Sequence, residues 1–411
     1  MDSLCGEATV DPMPTLIDSL RKRCREKPGA TKNPLYDEEY GVLDGDLTGF
    51  ARFILDETPP VVMLRCRDAV RKRLQKTSRG IRVSDRMHWD TAGWAWTDIA
   101  LDGSIPEAEL LALVDDSYQI TYDGLYDFQK ERLSVLTRNL NPAELFSELL
   151  SSHGMSRRRE EIEGLYRPTM LLKTRKAVES KMTIGQTKIG GQPDLPEGAE
   201  WPQFRDGRPL AFLGQINLGE VASVSKLPGL PESGLLSFFS VFGWQVEDDA
   251  DPQLPPGKYD YSWTRVLYHP GNQKAFQRRR TPTGVNSFKA AKVEFVPIAC
   301  FPTHTKEPAV AKLGWKRDVK DKYDDFVTAY NGARGHQLGN PARNLLLGYA
   351  DYEQDFVKEV ADENLQLLFQ LASDENAGMC WGDGGFVYFW IGPKDLARQK
   401  FEKVFTDYQC G

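Results

Sequence analysis

Two stretches of this 411-residue chain concentrate residue types that chemistry needs. The first is Thr187-Lys188-Ile189-Gly190-Gly191, followed by Pro193, Pro196 and Trp201-Pro202. A lysine ahead of paired glycines sets an ammonium beside backbone N–H groups that no side chain shields, a combination able to hold an anion. The same glycines equally let a chain cross a sheet edge while Trp201 packs in a core. The second stretch holds Asp374 and Glu375, then Met379-Cys380-Trp381-Gly382-Asp383-Gly384-Gly385. Asp374, Glu375 and Asp383 are candidates to converge on a cation or a basic partner, with Trp381 beside them. Their spacing is not that of a calcium loop, which needs oxygens at alternate positions and a closing Glu. Three glycines around an Asp also make a tight turn between strands. Gln215 and Asn217 alternate with Leu213, Ile216 and Leu218, and Gln370 lies in a similar apolar run. Such amides line a pocket or satisfy the backbone, since one buried without a partner costs about 1–3 kcal/mol.

Other reaction classes lack their residues. The five histidines form no H-x-x-x-H or H-x-E pair, so no metal site is expected. Cys300 lies four residues before His304, which is too little to define a dyad. No G-x-S-x-G elbow and no glycine-rich phosphate loop follows a strand. The six cysteines are scattered without a C-x-x-C pair, which predicts reduced thiols. No catalytic residue and no cofactor is assigned on this reading.

Net charge is −7. Residues 1–180 carry 26 basic and 30 acidic side chains, giving −4, and the remaining 26 and 29 give −3. Neither part is basic in bulk, so only a local patch would serve nucleic acid. The strongest one holds Arg65, Arg67, Arg71, Lys72, Arg73, Lys76, Arg79, Arg82 and Arg86, with Trp89, Trp94 and Trp96 close behind. Cations beside stackable rings suit nucleic acid, although a basic helix face is more often simply solvated. The triplet Arg278-Arg279-Arg280 before Thr281-Pro282 has the form of an import or phosphorylation signal. No run of about 18 apolar residues predicts a membrane span. The basic cluster Arg21 to Arg25 follows rather than precedes the first apolar stretch, against secretory order. A cytoplasmic protein is expected.

These candidates need elements to position them. Apolar spacing predicts helices over 14–25, 64–76, 106–117 and 122–150, with Ser104 and Glu107 as a capping box and Asn141-Pro142 starting a new turn. Strands are expected over 81–87, 95–101, 211–218, 235–242, 293–299, 365–372 and 386–391, and helices over 320–330, 354–361 and 393–405. No internal repeat of fixed period is visible. The fold class is α+β in two domains: a small N-terminal α/β unit, then a larger α+β domain with a mainly antiparallel sheet. The boundaries are 1–58 for an irregular helical segment, 59–140 for the small domain, 141–168 for a helical linker and 169–411 for the large domain.

T-K-I-G-G-Q-P-D-L-P-E-G-A-E-W-P, then P-L-A-F-L-G-Q-I-N-L, then L-Q-L-L-F-Q-L-A-S-D-E-N-A-G-M-C-W-G-D-G-G-F-V-Y-F-W-I, together resemble the YwqG-like family (DUF1963) over about 170–411. Thr187 stands where that family commonly has Ser. L-D-G-S-I-P at 101–106 and V-D-D-S-Y at 114–118 are similar to the MmcQ/YjbR-like domain over about 60–140, with an insertion at Thr91-Ala92-Gly93. The first resemblance implies a fold and no established chemistry. The second implies a DNA-binding-like fold. The reading is a non-catalytic intracellular binding protein whose partner is another protein. The candidate contact residues are Lys188, Gly190, Gly191, Trp201, Gln215, Asn217, Trp381 and Asp383. One alternative is nucleic-acid association through the Arg65–Arg86 patch. The other is an enzyme with an acidic site at Asp374, Glu375 and Asp383.

Overall fold

The computed structural model describes residues 12–32, 38–42, 49–86, 93–126, 129–130, 133–135, 138, 140–241, 263–271, 276–339, 341–354, 360–361 and 364–410. The chain is α+β, and among the described residues every strand pairing is antiparallel. It divides into two compact units, residues 1–148 with 329–340, and residues 149–328 with 341–411.

In the first unit, α1 (Pro12–Arg25) leads into β1 (Ala30–Lys32), β2 (Glu39–Val42), β3 (Gly49–Ile54) and β4 (Val61–Arg67). After α2 (Asp68–Leu74) come β5 (Ile81–Val83), β6 (Trp94–Ala100) and α3 (Glu107–Asp123). The sheet order is β1-β2-β3-β4-β6-β5. Helix α3 buries Leu110, Leu113, Val114, Ser117 and Tyr118, the stripe expected of a helix lying on a sheet. Ser117 Oγ fixes its height, accepting from Arg65 N at 2.7 Å and donating to Phe50 O at 2.5 Å.

Sequence expectations need four corrections. The helix expected over 122–150 is not continuous, since α3 ends at Asp123 and Asn141-Pro142 opens a separate helix. Residues 64–67 are strand rather than the start of a basic helix, because Val61 to Leu64 are buried between β3 and β6 and the ladder outweighs helical spacing. Helix α3 starts after Pro106 without a side-chain cap, and Ser104 Oγ bonds Ser78 Oγ instead. Residues 393–405 are not one helix. A short helix, Pro393–Ala397, and the 3-10 turn Phe401–Lys403 precede a strand. Asn141 does open a helix: α4 (Pro142–Ser152) has Asn141 Oδ1 accepting from Ala143 N and Glu144 N, both at 3.0 Å, while Glu144 reaches back to Asn141 N. Of the expected helix over 354–361, residues 355–359 lie outside the described residues, as does Trp89.

The second unit contains β7 (Arg167–Lys176), β8 (Lys188–Ile189), β9 (Asp194–Pro196), β10 (Ala211–Asn217), α5 (Leu218–Val224), β11 (Leu235–Ser240), β12 (Thr264–His269), β13 (Phe276–Arg278) and β14 (Ala291–Cys300). Helix α6 (Arg317–Gln337) precedes β15 (Leu345–Leu346), β16 (Gln366–Ala372), β17 (Phe386–Ile391) and β18 (Phe405–Gln409). Ten of these strands form one sheet, ordered β12-β11-β10-β8-β14-β7-β15-β16-β17-β18.

That sheet is built twice. Strand β14 matches β7, β8 matches β15, β10 matches β16, β11 matches β17 and β12 matches β18, and the registers agree residue by residue. Ile189 pairs with Gly214 and Ala291, while Leu346 pairs with Phe369 and Met170. A bulge between Phe212 and Gly214 recurs between Leu367 and Phe369, 155 residues on at both ends. The same match turns the pair Ala291–Lys176 into Met170–Pro297, itself a rung of that ladder. An approximate two-fold axis therefore passes through the pair Glu294–Lys173.

The sequence has no fixed period because the spacing drifts. It is 157 from Ile189 to Leu346, 155 from Gln215 to Gln370, 151 from Phe238 to Phe389 and 140 from Val266 to Thr406. Moreover β14 ends one half whereas β7 begins the other. Both halves feed one core, where the Phe238 ring lies 4.8 Å from Phe369 and 5.0 Å from Phe389. The edges meet as well: Thr264 Oγ1 touches Thr406 Oγ1, and Tyr268 packs on Phe401 at 5.0 Å.

Candidate functional site

The glycine pair after β8 turns the chain out of the sheet. Gly190 and Gly191 take φ of +66° and +76°, and a Cβ on Gly190 would fall 2.2 Å from Lys289 O. Only glycine fits there. Their N–H groups bond Leu213 O at 2.8 Å and Phe288 O at 3.1 Å. The turn delivers Asp194 beneath β10, where the Gln215 side chain grips it from both sides. Asp194 N donates to Gln215 Oε1 at 2.9 Å, and Gln215 Nε2 donates to Asp194 Oδ2 at 2.8 Å and to Gln186 O at 2.8 Å.

Charges complete the arrangement. Lys188 and Asp194 are both fully buried, with Lys188 Nζ 3.3 Å from Asp194 Oδ2 and 3.1 Å from Glu179 Oε1. Arg278 Nε donates to Asp194 Oδ1 at 2.9 Å, and its NH1 to Glu179 O at 2.6 Å. Two cations therefore face two carboxylates. Burial is the largest influence on Asp194 and pushes it up, but Arg278, Lys188, Gly185 N and Gln215 together outweigh it and hold the carboxyl below its ordinary value. Burial lowers Lys188 against the pull of Asp194 and Glu179. The place an external anion would take beside Lys188 is filled by Glu179, which also accepts from Gln192 N at 2.7 Å.

The second half repeats the device. Leu347 and Gly348, at φ of +60° and +92°, occupy the positions of Gly190 and Gly191. They deliver Asp351 to Gln370: Asp351 N donates to Gln370 Oε1 at 2.8 Å, and Gln370 Nε2 to Asp351 Oδ2 at 3.1 Å and Arg343 O at 2.9 Å. Arg343 supplies the cation, with its NH2 2.9 Å from Asp351 Oδ1. Asn217 N on Thr187 Oγ1 is likewise matched by Ala372 N on Asn344 Oδ1, at 2.8 and 2.9 Å. Sequence reasoning singled out Gln215 and Gln370 but passed over Asp194, Asp351, Glu179 and Arg343. It read Arg278 as part of a surface signal. The usable signal was an Asp three or four residues after a glycine turn in both halves, Gly190-Gly191 to Asp194 and Gly348 to Asp351.

Other candidates are placed as follows. Asn217 caps α5, accepting from Gly219 N at 3.0 Å and Glu220 N at 3.3 Å. Trp201 packs edge-on against Phe239 and donates to Leu210 O at 2.9 Å. Trp381 is buried against Phe288. Asp374 is buried and accepts from Thr174 Oγ1 at 2.7 Å and Asn344 Nδ2 at 2.9 Å, whereas Glu375 and Asp383 are exposed. The three are not assembled into one acidic site, and among the described residues no group of three His, Cys, Asp or Glu is placed to hold a metal.

In the first unit Arg65 lies 4.6 Å over Trp94 and 5.2 Å over Trp96, and burial lowers its guanidinium to about 10. Carboxylates answer most of the basic patch: Asp116 faces Arg67, Asp68 faces Arg71, Glu109 faces Arg73, Asp98 faces Arg82 and Glu57 faces Arg86. Lys72, Lys76 and Arg79 are exposed, with no such partner among the described residues.

Residues 187–410, more than half of the chain, match the family model described as "Domain of unknown function (DUF1963)". The chain belongs to the DUF1963 family. The match begins at Thr187, so the DUF1963 span includes both glutamine–aspartate pairs while β7 and Glu179 precede it. Ahead of it the chain is similar to "Uncharacterized protein YjbR" of Escherichia coli, in strains K12 and O157:H7. The identity is 29% over 122 residues, which is 29% of this chain and 97% of that protein. Among solved structures, the Deinococcus radiodurans protein DR2400, with family-model domain DUF419, matches 29% of this chain and 87% of its own at 24% identity and a TM-score of 0.24. No helix among the described residues is long and apolar enough to cross a membrane.

Proposed function

We propose that this DUF1963 protein is a non-catalytic cytoplasmic binding protein whose partner is another protein, met at the turn 380–385 beside β18. The observation that carries this reading is the duplication. Asp194 with Gln215 recurs as Asp351 with Gln370, so these buried polar residues within the DUF1963 span serve as a scaffold in both halves. At its base the turn repeats the first half, Ser373 N on Gly385 O matching Leu218 N on Gly234 O at 3.0 and 2.9 Å. It leaves Cys380 and Asp383 exposed, near Tyr408 at 42% exposure. Tyrosine beside a carboxylate at an exposed turn suits a protein contact. The test is affinity capture with the tagged full chain and its Asp383→Lys/Tyr408→Ala variant, each with and without nuclease. A stoichiometric protein that survives nuclease and is lost with the variant supports the reading. Equal capture by both chains overturns it.

A second reading rests on Lys72, Lys76 and Arg79, exposed and without carboxylate partners among the described residues. Three phosphate contacts would give a slope of roughly −3 in log affinity against log salt on duplex DNA. Lys72→Glu, Lys76→Glu and Arg79→Glu together should then abolish binding, and a salt-independent or unchanged affinity refutes it.

A further inference from the structure

The cysteines divide by environment. Cys24, Cys66 and Cys300 are buried, and burial pushes their thiols up to about 12, 11 and 11. Such groups stay protonated and out of reach. Cys380 is exposed and Cys410 partly so. Thirty positions apart in sequence, they approach through the fold, because the turn 380–385 curls back onto the end of β18.

Gly382 is the point of contact. Its φ is +53°, and a Cβ there would fall 2.5 Å from Cys410 Cβ, 2.7 Å from Cys410 Sγ and 2.7 Å from the Tyr408 hydroxyl. From the other side, Cys380 Sγ donates to Gly382 O at 3.2 Å. Gly385 continues the closeness, since its Cβ would lie 2.6 Å from Cys410 Cα. One glycine peptide, with no side chain of its own, thus lies between the two thiols. The Tyr408 hydroxyl and Cys410 Sγ both lie against Gly382, and the Tyr408 phenol is pushed up first by burial and then by Cys410. A phenol that keeps its proton is a donor for the Cys410 thiolate.

We propose that Cys380 and Cys410 form a reversible disulfide that ties the 380–385 turn to the end of β18. The oxidant is a low-molecular-weight disulfide. The Cys380 thiolate attacks one of its sulfurs, forming a mixed disulfide and expelling one small thiolate. The Cys410 thiolate then attacks the Cys380 sulfur, closes the protein disulfide and expels the second. The protein loses two protons and two electrons, and the small disulfide gains both as two thiols. The modification is independent of the contact surface assigned above, since it is read on the sulfurs themselves.

The experiment incubates the folded full-length chain with glutathione disulfide, blocks remaining thiols with iodoacetamide, and maps the peptides by mass spectrometry. The expected result is a loss of two alkylatable thiols and a linked Cys380–Cys410 peptide, reversed by dithiothreitol, with Cys24, Cys66 and Cys300 unlinked. Cys410→Ser should instead accumulate glutathione on Cys380, because the resolving thiol is gone. A persistent glutathione adduct on Cys380 in the native chain overturns the proposal. So does a Cys380 linked to any other cysteine, or full alkylation of both thiols after incubation.

Discussion

Replacing Lys188 by Met separates a lysine kept for balance from one kept for an outside anion. Lys188, Arg278, Glu179 and Asp194 sum to zero charge, and Lys188 and Asp194 have no exposed surface. Met fills the same volume but leaves two carboxylates with one cation. Breaking a buried pair from one side costs about 3–5 kcal/mol, because the remaining charge stays desolvated. Asp194→Asn should cost a similar amount, leaving two cations with Glu179 and aiming an amide N–H at Arg278 or Gly185 N. Lys188→Met with Asp194→Asn restores neutrality, so the pair should cost less than the sum by at least about 2 kcal/mol. The assay is urea unfolding of the full chain and its three variants, reading the midpoint of the transition that the second unit's tryptophans report. Acid sharpens it. A carboxyl held below its unfolded value of 3.8 contributes fully above that pH and loses its contribution as pH falls through the folded value. The native chain should thus lose more stability on acidification than Asp194→Asn does, since the other lowered carboxyls, Asp102, Asp115, Glu161 and Asp206, are common to both. Strict additivity, or a Lys188→Met midpoint at or above that of the native chain, refutes the reasoning and returns Lys188 to the anion-binding reading.

Gly190→Ala should cost more than about 3 kcal/mol, since it adds a backbone collision to a positive φ, whereas Gly207→Ala, at φ of +88° with open space around it, should cost about 1 kcal/mol by the same urea measurement. Asp324 is raised to about 6 by burial and then by Asp321 and Asp325, so its ionised form opposes folding above that pH and the penalty fades toward 3.8. Asp324→Asn should therefore stabilise at pH 8 by on the order of 1 kcal/mol after solvent screening, and by nothing at pH 4, in paired thermal melts. Asp351→Asn should cost only about 1–2 kcal/mol in urea, because Arg343 keeps 31% of its side chain in water where Lys188 keeps none.

The long strands were legible because their apolar runs were. Residues 386–391 were read with the bounds they have, and 211–218 and 365–372 to within a residue. Two-residue strands such as Lys188–Ile189 and Leu345–Leu346 are too short to carry a period, yet they position both aspartates. Strand β18 was hidden in Phe405-Thr406-Asp407-Tyr408-Gln409, whose polar residues pair only because β17 offers a ladder. The site was half legible. A glutamine in an apolar strand announces a buried amide, but its partner Asp194 lies 21 residues away and Arg278 lies 84 from that Asp. No local pattern joins them. The basic patch was legible as composition and misleading as charge, because Asp98 and Glu57 answer Arg82 and Arg86 from other strands and turns.

The approximate two-fold has a consequence in time. One half of the sheet is nested inside the other: β7 is made first, the whole of β8 to β14 follows, and only then do β15 to β18 appear. Strand β7 must wait for β14, its ten-residue partner, whose first rung joins Lys176 to Ala291. At 5–20 residues per second of synthesis, that gap leaves an apolar strand without its neighbour for roughly 6–25 s. A nascent chain of this design carries a sticky edge through more than a quarter of its own translation, and a ribosome stall between β7 and β14 would strand it there.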